Sequence, residues 1–114
     1  MEIKNLTPHE VCVHVFGGVR VIPPSGVVAR VRTRRFMRDA VEVSNLKIPC
    51  AEIRAEGIEF LPEPSPGVVI IVSSFVAQHP EVRGRADVVV PDTRYAARDK
   101  NGNVQAVSAF VRYS

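Results

Sequence analysis

The chain has no tryptophan, only two cysteines, and no apolar run long enough to cross a bilayer. Each shortage excludes a class of protein. Cys12 and Cys50 are too few to make the disulfide framework of a secreted mini-protein. No apolar signal segment precedes Glu2 and Lys4, so a cytoplasmic protein with both thiols reduced is expected. The longest uncharged stretch, PGVVIIVSSFVAQ, falls well short of the ~20 residues that span a membrane, and reads as core. Nucleophile elbows, phosphate-binding glycine loops, internal repeats and low-complexity tracts are all missing. A length of 114 residues suits one domain, 1–114, with a core of its own.

Valine is what the chain has in abundance. Twenty-one valines favour pleated, half-buried strands over helices. EVCVHVF alternates strictly, and Gly17-Gly18 turns it into VRVI, predicting a hairpin over residues 10–22 with a two-residue loop. VVARVRTRR begins another strand. A turn around Phe36 to Asp39 then leads into AVEV, IPCAEIRAE and IEF, divided by Asn45, Pro49 and Gly57. LPEPSPG lacks the amide donors of a central strand. VVIIV, residues 68–72, is continuously apolar, as expected of a strand covered on both faces. Ser73 or Ser74 is placed to cap a short helix through FVAQH, which Pro80 stops. ADVVV reads as a strand, Asn101-Gly102 as a hairpin turn, and VSAFVRY as the last strand. The fold class is all-β: a small barrel or sandwich of about eight to ten short strands with one short helix.

Charge is unevenly spread. Residues 1–38 carry a net +5, residues 39–67 a net −4 and residues 68–114 a net +2. Arg30, Arg32 and Arg34 stand at every second position, with Arg35, Arg38 and Arg20 as candidate extensions. On one strand face that spacing is ~6.6 to 7 Å, near the repeat of backbone phosphates, so the comb is a candidate nucleic-acid or anion-binding surface. The opposing reading pairs Arg32 with Glu42 and Arg34 with Asp39 across a hairpin, leaving an ordinary ion-paired face.

Two further groups carry metal-ligating or acidic chemistry. His9, Cys12, His14 and Cys50 have the ligand types of a zinc site, but their spacing matches no finger, and a buried cysteine beside a hydrogen-bonded histidine explains them equally. Asp87, Asp92 and Asp99 each neighbour an arginine: Arg85, Arg94 and Arg98. Such carboxylates can hold magnesium or do acid–base work, yet Asp next to Arg at strand ends more often makes turn caps and local ion pairs.

Taken together, NLTPHEV, IPPSGVVARV, GIEFLPEPSPGVVIIVSSFVA, RADVVVPDT and RDKNGNVQAVSAF resemble a family of small uncharacterised proteins of phages, prophages, bacteria and some archaeal viruses. The resemblance implies a viral or mobile-element accessory protein working in a host cytoplasm, and assigns no activity or cofactor. Its pattern includes Thr7, Pro8, His9, Ser25, Gly26, Arg30, Pro62, Ser73, Asp87, Pro91, Asp92, Arg98 and Asp99. A site common to that family would lie nearest His9, Arg30, Asp92, Arg98 and Asp99.

The leading expectation is a non-catalytic binding module whose basic first third meets nucleic acid or an acidic protein surface, with no cofactor, metal or membrane. A structural homo-oligomer or virion component, pairing exposed strand edges, is the second. A small metal-dependent hydrolase or nuclease using Asp87, Asp92, Asp99 and His9 is the third.

Overall fold

The computed structural model describes residues 1–114 apart from Tyr95, Asn103 and the side chain of Gln105. Its centre is a four-stranded sheet in the order β1 (Glu2–Asn5), β6 (Val68–Ile71), β7 (Val88–Pro91), β10 (Phe110–Val111). β1, β6 and β7 run parallel, and β10 closes the far edge antiparallel. β6 and β7 are joined through the one short helix, α1 (Ser74–Ala77), whose N-terminus is capped by Ser73 Oγ accepting from the Val76 amide. Three two-stranded ribbons complete the chain: β2 (Val11–Val15) with β3 (Gly18–Ile22), β4 (Arg30–Val43) with β5 (Leu46–Glu59), and β8 (Ala97–Arg98) with β9 (Val104–Ala106). The all-β class holds, but these sheets do not close into a barrel; a bridge between Val13 and Val107, with the His14 amide donating to the Val107 carbonyl and the Val107 amide to the Cys12 carbonyl, links β2 to the chain after β9 without closing one.

The uninterrupted apolar run of β6 now has its physical reason. Ile70 and Val72 face a cluster with Leu6, Val76, Ala77, Val82, Val88 and Val90, while Ile71 faces the opposite one with Val11, Ile22, Val89 and Val107. Neighbouring residues on the strand thus point into different apolar layers, and neither face has room for polar groups. Ile71 and Val72 are completely buried. Each such side chain contributes roughly 1.5–3 kcal/mol of transfer free energy.

One polar side chain lies inside this core. Asn5 is 1% exposed, at the end of β1, and every hydrogen-bonding group it has is used. Its amide nitrogen donates to the carbonyls of His9 (2.9 Å) and Ile22 (3.0 Å), and its oxygen accepts from the backbone amide (3.0 Å) and hydroxyl (2.7 Å) of Thr7. A single amide therefore shapes the Thr7-Pro8-His9 loop and ties it to the end of β3.

The largest departure from expectation is the β4–β5 ribbon. No turn forms at Phe36 to Asp39. β4 runs straight through, and the four expected segments between residues 27 and 60 are two strands of 14 residues each. The reversal lies at Ser44-Asn45, whose φ angles of 48° and 67° are those of a two-residue turn that continues the twist of its strands. The expected breakers sit within the pairing. Pro49 falls where β4 carries an extra residue between Arg38 and Val41, and Gly57, at φ 145°, adjoins the second irregularity, between Arg32 and Thr33. Bulges are where a ribbon tolerates a missing amide donor or a positive φ.

No residue from Arg30 to Val69 is buried, and in that span Val31, Ile58, Leu61, Val68 and Val69 pack against the core clusters. The rest of the ribbon is an arm. Fourteen residues of strand extend ~46 Å, which accounts for a molecule of 61 × 39 × 26 Å with a radius of gyration of 17.9 Å. A compact chain of this length would have a radius near ~13 Å.

The hairpin expected over residues 10–22 forms with Phe16 and Gly17 in its loop, the positive φ of 95° falling on Gly17. At the second expected hairpin the reversal is an Asp99 to Gly102 turn, the Gly102 amide donating to the Asp99 carbonyl at 3.0 Å. Asn103 lies outside the described residues, and of the Asn101-Gly102 pair only Gly102 takes a positive φ, 84°.

Candidate functional site

The arginine comb occupies one face of the arm, and strand alternation fixes which side chains join it. Arg30, Arg32, Arg34, Phe36 and Arg38 alternate outward on β4, and Glu59, Gly57, Arg54, Glu52 and Cys50 oppose Arg30, Arg32, Arg34, Phe36 and Arg38 on β5. The partners foreseen on AVEV are not used, because β4 does not turn back there. Arg32 instead meets Glu59 (3.7 Å), Arg34 meets Glu56 (3.1 Å), and Arg38 hydrogen-bonds Glu52, which also takes Arg54 at 3.4 Å. Glu42 pairs with Lys47 at 3.6 Å near the tip. The Phe36 ring lies under three guanidinium groups, with Arg34, Arg38 and Arg54 at 5.9, 5.8 and 5.2 Å from its centroid.

This arrangement alters the chemistry of the comb. Three of its five β4 arginines already face carboxylates, and the one aromatic ring that could stack a base is covered by cations. Among the described residues, Arg30 and Arg35 make no ion pair, and Arg35 points to the opposite face of the arm. Arg20 is on the β2–β3 ribbon opposite Val13, so it does not extend the row.

Beyond the paired arginines the arm becomes apolar. Val41, Val43, Leu46 and Ile48 share the comb's face at the tip and are 47%, 52%, 62% and 50% exposed, while Met37 and Ile53 are exposed on the other face. Isolated side chains of this kind are ordinary on a surface, but four together on one face of a ribbon tip make a continuous apolar patch.

The residues singled out by the resemblance gather elsewhere. Thr7, Ser73 and Asp92 follow the carboxyl ends of the three parallel strands and line a crevice of about 440 Å³ with Arg94 and Tyr113. In open parallel sheets this is the end at which ligands are received. His9 lines an adjoining cavity of about 560 Å³, and Val11, Pro91 and Thr93 belong to both. Arg98 braces the ridge between them by donating to the Thr93 carbonyl (3.2 Å) and to the Gly102 carbonyl (2.8 Å). Arg30 stands apart at the root of the arm, one residue beyond the Ala29 amide that bonds Leu6.

The polar groups of the crevice are largely committed to structure. The single Thr7 hydroxyl hydrogen is shared between Asn5 Oδ1 (2.7 Å) and the His9 carbonyl (3.0 Å), Ser73 caps α1, and Asp92 Oδ1 accepts from the Arg94 amide at 3.1 Å. Asp99 likewise accepts from the Asn101 amide at 2.8 Å. Asp87 is held by Arg85 through two contacts, 3.0 and 2.7 Å, and the same guanidinium reaches the Pro62 carbonyl, pinning the proline-rich crossing. The three aspartates therefore act as turn-formers and as an ion pair, and among the described residues no three His, Cys, Asp or Glu side chains come together as a metal site. Cys12 and Cys50 are both free thiols on different ribbons.

The Arg85–Asp87 pair gives a pH prediction. The hydrogen bond from Arg85 lowers the Asp87 pKa below its ordinary 3.8, against an opposing effect of burial. A carboxylate with a depressed folded-state pKa adds stability above its unfolded value, and that stability is lost as pH falls through the folded value. Asp87→Asn should therefore lower stability by about 1.5–3 kcal/mol at neutral pH. The gap to wild type should shrink from about pH 4 downward, as read from urea midpoints across pH 2–7.

Two contributors were not singled out from the sequence: Asn5 and the Arg85 grip on Pro62. Asn5 sits inside the quoted NLTPH segment, but nothing in a single sequence marks an asparagine as fully buried. No protein-family model matches the chain, no curated protein is significantly similar to it, and no solved structure matches its fold significantly. The likeness to small phage and prophage proteins thus rests on the quoted segments alone.

Proposed function

We propose that the protein is a non-catalytic assembly module whose β4–β5 arm makes the contact with a second copy of the chain. One observation carries this reading: an arm of 14-residue strands that contributes nothing buried to its own core and exposes Val41, Val43, Leu46 and Ile48 at its tip. A two-stranded ribbon alone in water is marginally stable at best, and its outer strand edges are templates for pairing. Both costs disappear when the arm is covered. Each face of a ribbon ~46 Å long and ~10 Å wide offers ~450 Å² of projected area, over half of the ~800 Å² per partner of a stable interface, with contacts at the arm ends to supply the rest.

Nucleic acid is the competing partner, and one variant separates the two. Leu46→Lys/Ile48→Lys adds positive charge to the tip while removing its apolar surface. The assembly reading expects light scattering to give a dimer or larger species for wild type and a monomer for the variant. It also expects anisotropy with labelled oligonucleotides to show weak binding, fading between ~50 and ~200 mM salt. Wild-type monomer, together with tight oligonucleotide binding retained or strengthened in the lysine variant, would transfer the proposal to the phosphate comb.

A further inference from the structure

β1 is an edge strand of the central sheet, and the space along its open side is an apolar groove. Its walls are Ile3, Ile22, Pro23, Pro24, Val27 and Phe60, and it encloses about 640 Å³. Glu2 and Lys4 stand at its rim, two residues apart on one strand. Phe60, the first residue after β5, closes the groove at the root of the arm. It is 64% exposed and held at φ 64°, a left-handed conformation that is costly for a bulky side chain. A strained backbone that holds an aromatic ring in solvent beside an apolar groove marks a place where something docks.

The arm supplies an occupant with the matching chemistry. Its tip carries the apolar side chains of Val41, Val43, Leu46 and Ile48, and one acid with one base, Glu42 and Lys47, facing each other across the strands. Glu2 and Lys4 at the groove rim complement that pair. β4 also has a direction of charge. Counting both strands of the arm, the root half, residues 30–36 with 52–59, carries five arginines against three glutamates, whereas in the tip half, residues 37–51, Arg38 and Lys47 balance Asp39 and Glu42. Two arms side by side in the same direction would set like charges together. Reversed, they bring the basic half of each against the neutral half of the other, and each tip then arrives at the other's root, where the groove is.

We infer that two copies associate about a two-fold axis through antiparallel arms, each tip seated in the groove that Phe60 closes on the other copy. This deepens the assembly reading above and rests on it. The contact is isologous and self-limiting, because both tips and both grooves are used in the dimer. The outward-facing backbone of β1 near Ile3 is left for an incoming strand, whereas Asn5 is already closed by the Ser25 amide, which bonds its carbonyl at 2.9 Å.

The test uses full-length chains in a Cys12→Ser/Cys50→Ser background, one with Leu46→Cys at the tip and one with Val27→Cys in the groove. Each is oxidised alone and as an equimolar mixture, and sedimentation velocity records the association state. A disulfide-linked species at least fivefold more abundant in the mixture than in either chain alone is the expected result. Cross-linking of the Leu46→Cys chain alone, in a protein that still dimerises, would overturn the tip-to-groove geometry while leaving assembly standing. A monomer at all concentrations would overturn both. A second variant, Phe60→Asn, keeps a residue that accepts positive φ but removes the ring. With the fold intact by circular dichroism, it should weaken self-association at least tenfold, and unchanged association would overturn the role of the groove.

Discussion

Asn5→Ala should remove about 3–5 kcal/mol of stability, a large fraction of what a domain of this size has. The size follows from what is left behind. Alanine strands the Thr7 amide, takes the side-chain donor from the Ile22 carbonyl, and leaves the His9 carbonyl with only the Thr7 hydroxyl. A buried donor or acceptor without a partner costs about 1–3 kcal/mol. The loss is not confined to β1, because Asn5 ties three pieces of chain: the end of β1, the His9 loop and the end of β3. Asn5→Asp is expected to be no milder, since a carboxylate oxygen would then face the His9 and Ile22 carbonyls in place of a donating amide. Urea denaturation reads both effects as a fall in midpoint, and a loss below 1 kcal/mol for Asn5→Ala would contradict the assigned network.

Shortening the arm should do the reverse: leave the fold and abolish association. If Arg34 is joined to Arg54 through an Asn-Gly turn, residues 35–53 are removed, and none of them is buried. Val31 and Ile58, the arm residues that pack against the core, are retained. The two-residue turn suits the antiparallel rung at Arg34 and Arg54. The shortened chain should melt within a few degrees of wild type, and it should sediment as a monomer at every concentration. A shortened chain that fails to fold would mean that the distal arm supports the core, which its exposure does not suggest.

The parts of this fold that were legible share a cause: their signals are local. VVIIV announces a strand covered on both sides, Ser73 followed by FVAQH announces a capped helix, and EVCVHVFGGVRVI announces a hairpin, each within about a dozen residues. The arm was misread because its punctuation is ambiguous. Pro49 and Gly57 look like chain breakers, but each falls at a bulge, and Ser44-Asn45 is a weaker turn signal than the Asn101-Gly102 pair that drew attention. Once β4 is 14 residues long, the acidic partners of its arginines move from Asp39 and Glu42 to Glu52, Glu56 and Glu59, and the comb changes from an open row of cations to a mostly paired face. The alternation of Arg30, Arg32 and Arg34 was readable. What they meet depended on register, which a single sequence does not specify when both faces of a ribbon are exposed.

The same reasoning explains the candidate site. Thr7, Ser73 and Asp92 are far apart in sequence, and only the parallel arrangement of β1, β6 and β7 brings them to one end of the sheet. Parallel order follows from the long crossover between β1 and β6, which carries no local signature. Asp99 and Arg98, by contrast, are explained by the turn they build.

If the arm is covered by another copy of the chain, as proposed, self-association follows concentration. Sedimentation equilibrium of the wild-type protein over a hundredfold range of concentration, repeated at ~50 and ~500 mM salt, tests it most directly. The mass should rise to that of a dimer and persist at the higher salt, because the tip contact is apolar. A mass fixed at 12.5 kDa throughout would contradict it.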